Sequence, residues 1–168
     1  MIAFLRLFLI AAVLAFLQAF IIQQVDMGVW LRPMPYLLLF FITPINLNKY
    51  GILVCGFFFG LFIDILAGNF GIHAASIVAV LYAKNFIDQR FIDFDSLKLQ
   101  GETYVTVNTK GWLFFSYYAL SIIAIHHLTF FMLDYFEFVS FFRMLLSTVV
   151  SAIGSFLLIL LFKSIIKN

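Results

Sequence analysis

The sequence predicts an all-α, polytopic membrane protein with about six transmembrane helices in one bundle, and three observations carry that expectation. Of 168 residues, 65% are hydrophobic and only 11% are charged, less than half the ordinary share of charge. A soluble fold of this size keeps a large exterior and needs polar surface to coat it. The apolar residues also fall in runs close to the roughly 20 that a helix needs to cross hydrocarbon. Finally, the 24 Phe stand against two Trp and seven Tyr. Phenylalanine is apolar all round and suits lipid, whereas Trp and Tyr prefer the interface.

The first span is expected at residues 2–22, where Arg6 and Gln18 are the polar exceptions. It is too long for the apolar region of a signal peptide, and Gln23, Gln24, Val25 and Asp26 supply no small-residue cleavage site, so a retained helix is expected. The second, residues 31–45, is short and edged by Pro33, Pro35 and Pro44, which lack an N–H and mark helix ends or kinks. A third covers residues 50–67 and a fourth residues 72–87, with Gly68, Asn69, Phe70 and Gly71 as the turn between them. The fifth and sixth are expected at residues 111–133 and 138–163. Between the fourth and fifth, residues 88–110 mix Asp88, Arg90, Asp93, Asp95, Lys98, Glu102 and Lys110 with apolar side chains. That pattern suits a loop on the membrane surface, leaving residues 1–168 as a single domain.

With six spans, Arg6, Lys49, Lys84, Arg90, Lys98, Lys110, Lys163 and Lys167 share a side with both termini, and only Arg32 and Arg143 lie opposite. The excess of Lys and Arg on cytoplasmic loops then places the termini and the 88–110 loop in the cytoplasm. Asp134 and Glu137 fall outside. The net charge of +2 is too small to suggest nucleic acid. Cys55 is alone, so an intrachain disulfide and a thiol metal cluster are both excluded.

Polar groups at membrane depth are costly and mark either function or a buried contact. Asp64 lies 14 residues up the third span, roughly 20 Å from its start at 1.5 Å per residue. Gly56, Gly60 and Asp64 are spaced i, i+4, i+8 and share one helix face, where paired glycines allow close helix approach. His73 follows the turn, and His126 and His127 sit in the outer half of the fifth span. These four are the candidate intramembrane polar cluster, either fixing helix order through mutual hydrogen bonds or meeting a partner, a ligand or a metal. Adjacent histidines point about 100° apart on a helix, unlike the i, i+4 pair of a zinc helix. Ser147, Ser151, Gly154 and Ser155 form a small-residue face on the sixth span, for packing within the bundle or against another protein. Ala11, Ala12, Ala15 and Ala19 offer the same on the first. No nucleophile elbow, zinc helix or phosphate loop is present, so neither an enzyme nor a cofactor is expected.

Three stretches in order resemble the family of rod shape-determining protein MreD. The clearest runs from Gly56 through Gly60, Asp64 and the Gly68–Gly71 turn to His73, Ala74 and Ala75. The second holds Trp112, Tyr117 and Ala119, then His126, His127, Phe130, Asp134 and Glu137. The third is the Pro35-to-Pro44 span. The resemblance covers nearly the whole chain and implies a non-enzymatic inner-membrane scaffold of the cell-elongation machinery. Members of that family associate with the bitopic protein MreC, and through it help link MreB filaments to RodA and a penicillin-binding transpeptidase. The resemblance also implies a fold similar to the substrate-binding subunits of energy-coupling-factor transporters. The alternative expectation lies there: a vitamin-type small-molecule binding subunit with its site among the outer helix ends.

Overall fold

The computed structural model describes residues 2–25, 28, 30–44, 47–99, 105–135 and 141–166, and among them every regular element is a helix. Helix α1 (Ile2–Phe16) runs on without a break into a π-helical stretch (Leu17–Ile22). Pro35, whose missing N–H costs nothing in a first turn, opens a 3-10 turn (Pro35–Leu38) that leads into α2 (Leu39–Ile42). Helix α3 (Lys49–Ala67) begins under an Asn48 side chain that accepts the Tyr50 N–H, a typical N-cap. It ends at Gly68 (φ +70°), and Gly71 (φ +81°) leads into α4 (Ile72–Phe91). Both glycines hold left-handed conformations that a side chain disfavours, which lets the chain reverse in so few residues. Two short helices follow, α5 (Phe94–Leu99) and α6 (Val107–Lys110), the latter capped reciprocally by Thr106 and Thr109. Helices α7 (Trp112–Tyr135) and α8 (Phe141–Ile166) complete the chain.

Among the described residues, four helical stretches are long and apolar enough to cross a membrane: Leu5–Ile22, Lys49–Ala67, Trp112–Tyr135 and Phe141–Phe162. Helix α4 has 20 residues, about 30 Å at 1.5 Å each, but its second half carries Lys84, Asp88 and Arg90, which dilute its apolar character. The span expected at residues 31–45 takes a different form. It is irregular to Met34, then four residues of 3-10 and four of α-helix, too short to cross by itself. Everything from Pro33 to Phe41 is buried, so this segment is a central plug around which the long helices pack.

One end of the bundle, the turn end, carries the Gly68–Gly71 turn. The other, the loop end, carries α5 and α6. Helix α7 runs antiparallel to α4, with its Tyr118 beside Asp88 and its Phe130 ring 5.0 Å from that of His73. The distribution of polarity is inverted relative to a soluble protein. Phe8, Val13 and Phe16 of α1, Val54, Phe58 and Ile65 of α3, and Val149, Ile153 and Leu157 of α8 are exposed, while Asp64, His73, Asp88, His126 and His127 are buried. Lipid as solvent favours this arrangement, because each polar group at depth needs an internal partner.

The glycine pair brings α3 against α4. A Cβ on Gly60 would lie 2.3 Å from the Ala74 Cα and 2.7 Å from its N, while one on Gly56 would meet the Leu81 Cδ1 at 2.3 Å. The middle of the expected 88–110 loop (residues 100–104), together with Asp26, Glu137 and Lys167, lies outside the described residues.

Candidate functional site

Asp64 caps α4 from the neighbouring helix. Its Oδ1 accepts the His73 N–H at 3.0 Å and its Oδ2 accepts the Ala74 N–H, also at 3.0 Å. Those are the second and third residues of α4, whose amides have no partner within the helix. Gly71, at the cap position, has no side chain to serve them, so the carboxylate does, favoured there by the helix dipole. The same Oδ1 lies 2.9 Å from His73 Nδ1, with the Asn69 amide nitrogen 3.2 Å from that ring nitrogen. Asp64 is 2% exposed and His73 1%, so the pair is closed off from lipid.

The two histidines of α7 go separate ways. His126 Nε2 lies 3.0 Å from the Tyr36 hydroxyl, itself 3.3 Å from Met34 Sδ. The Tyr36 ring also packs edge-on to that of His73, centroids 5.9 Å apart, so the central plug bridges His73 to His126. His127 points instead to α8, its Nε2 2.8 Å from Ser155 Oγ. The predicted cluster is thus two contacts flanking one tyrosine, and His127 stands apart from Asp64. The Nδ1 atoms of both α7 histidines are buried without a hydrogen-bond partner.

The small-residue face of α8 seats a polypeptide backbone and not a helix. Ser155 Oγ accepts the Met34 N–H at 2.8 Å, and Ser151 Oγ accepts the Arg32 N–H at 2.9 Å and donates to the Trp30 carbonyl at 3.1 Å. A Cβ on Gly154 would meet Leu31 Cδ1 at 2.8 Å. Residues 30–34 have no regular backbone pairing of their own, so these hydroxyls satisfy amides that would otherwise be orphaned at depth. Ser147 sits farther along, 3.3 Å from the Tyr135 hydroxyl.

A second polar group, absent from the sequence expectations, lies at the loop end. Asp88 accepts from Lys84 Nζ at 2.5 Å and from the Tyr118 hydroxyl at 2.7 Å. Asp88 is 5% exposed. Expected as the first residue of a surface loop, it belongs instead to α4 and to the core. The i, i+4 spacing of Lys84 and Asp88 was the available signal.

At the turn end a cavity of about 480 Å³ opens between the π-helical stretch, residues 31–34 and the ends of α4 and α7. Its polar lining comes from Gln18, Gln23, Gln24, Asn69, His73 and the Arg32–Asp134 ion pair, whose Nη1 and Oδ2 are 2.7 Å apart. Leu31, Met34 and Phe130 are among its apolar walls. No family model, curated protein or solved structure matches this chain.

Proposed function

We propose that this protein is a non-enzymatic scaffold of the bacterial cell-elongation machinery, resident in the inner membrane with both termini in the cytoplasm and associated with an MreC-like bitopic protein. The observation that supports it best is how the buried polar groups are used. Asp64, His73, His126, His127, Ser151 and Ser155 all bond within the chain, fixing helix order. The apolar faces of α1, α3 and α8 are left outward for lipid and partner helices. The ordered likeness of Gly56, Gly60, Asp64 and the following turn to the MreD family supplies the name of the machinery. In this reading α1, α3, α4, α7 and α8 cross as helices, and the central plug, too short to cross as a helix, carries the chain back between the two faces inside them, which makes six passes. MreB, RodA and a penicillin-binding transpeptidase are reached through the complex.

The cavity at the turn end favours a second reading, a vitamin-type binding subunit of an energy-coupling-factor transporter. Against it stands α8, whose small-residue face is covered by residues 30–34 and is not free to dock a transport partner. Controlled depletion in the source cells separates the two. The scaffold reading expects cells to widen and round up as elongation fails. Unchanged cell dimensions with a new requirement for an added vitamin would replace it by the second reading.

A further inference from the structure

The cavity at the turn end has features that helix packing does not require. Gln18 lines it, is 4% exposed, and has an amide oxygen buried without a hydrogen-bond partner. A buried acceptor left unpaired is costly. Gln18 also sits in the π-helical stretch, where the Gln23 N–H reaches back to the Gln18 carbonyl at 3.0 Å. Such wide turns are rare and collect at functional sites. Here the wide turn brings Gln18, Gln23 and Gln24 to the same cavity. Its volume lies within the roughly 300–1,000 Å³ usual for small-molecule sites.

The lining also limits the chemistry of an occupant. Arg32 and Asp134 neutralise one another across 2.7 Å, and His73 Nδ1 is turned to Asp64. Among the described residues that leaves no uncompensated charge to hold an ion. What remains is carboxamide, three glutamines and Asn69, each with both donor and acceptor atoms, beside apolar walls that include Leu31, Met34 and Phe130. We propose that this cavity binds a neutral small molecule bearing amide or hydroxyl groups, held by the carboxamides that line it, with the Gln18 side chain turning to bring its closed-off Oε1 onto an N–H or O–H of the occupant. The proposal goes beyond the scaffold function and does not depend on it, since a scaffold with such a site would carry a ligand-dependent state.

The test uses the full chain in lipid nanodiscs, with N-acetylglycinamide and methyl glucoside as neutral probes and glutamate and lysine as charged ones. Binding is followed by saturation-transfer NMR. At least one neutral probe is expected to bind saturably below about 10 mM, and Gln18→Leu to weaken it about tenfold, as losing a bond to a buried acceptor implies. Gln23→Leu, at an exposed position beside the cavity, serves if the Gln18 variant fails to fold, and is expected to weaken binding in the same direction. Absence of saturable binding by either neutral probe would overturn the proposal. So would wild-type affinity in a folded Gln18 variant (or in the Gln23 variant where that one is used), or tighter binding of a charged probe.

Discussion

Replacing Asp64 with alanine removes the acceptor for three groups at once: the N–H of His73, the N–H of Ala74 and the ring Nδ1 of His73. Losing an N-cap costs about 0.5–2 kcal/mol, most of it from the amides left open. Burial raises that figure, because each unpartnered polar group away from water costs about 1–3 kcal/mol. Three such groups, with some relief as the turn loosens, place the expected loss at about 3–5 kcal/mol. Asp64→Asn keeps the shape and one acceptor oxygen, so about half of that loss is expected. The assay is equilibrium unfolding in mixed micelles followed by far-UV circular dichroism, with hydrogen exchange read at residues 73–76. Faster exchange confined to the start of α4 would localise the effect to the cap. A change below about 0.5 kcal/mol in Asp64→Ala, within the range of an ordinary surface substitution, would refute the capping argument.

Three further outcomes follow from the packing, each measured by the same unfolding assay. Gly60→Ala is expected to cost more than Gly56→Ala, about 2–3 against 1 kcal/mol, because its Cβ meets Ala74 backbone while the other meets a movable Leu81 methyl. Equal losses would count against a close α3–α4 seam. Asp88→Ala should cost about 3–5 kcal/mol by leaving Lys84 unpaired in a part-buried site, and the double change Lys84→Met with Asp88→Leu should recover much of it. A double variant as unstable as the single one would contradict that reading. Ser155→Ala, which orphans the Met34 N–H and one partner of His127, should cost about 1–3 kcal/mol, whereas Ser147→Ala, near one tyrosine hydroxyl, should stay below about 1. The reverse order would separate residues 30–34 from α8.

The long apolar helices were legible because their signal is local: a run of apolar residues needs no partner to be recognised. The Gly56, Gly60 and Asp64 stripe was legible for the same reason, since helical spacing alone puts them on one face. His73 was found as a neighbour of Asp64, but not the capping role, which depends on how the turn folds back. Tyr36 carries no such signal, because a short proline-edged segment gives no periodicity and its burial comes from the helices around it. The serines of α8 marked a place of close approach without telling what approaches, and the occupant is an irregular backbone held by hydroxyls. Asp88 has the charge expected of a loop residue, and only the helical register it shares with Lys84 points to α4. The π-helical stretch, and with it the cavity, has no sequence signature, because those residues are equally compatible with an ordinary helix.

The central claim is association with an MreC-like protein, and co-purification in mild detergent with that protein from the same genome tests it most directly. The transmembrane subunit of an energy-coupling-factor transporter serves as the parallel bait. A stable complex with the MreC-like protein, weakened by polar substitutions on one exposed face of α1, α3 or α8, is the predicted result. No such complex, with capture by the transport subunit in its place, would contradict the account.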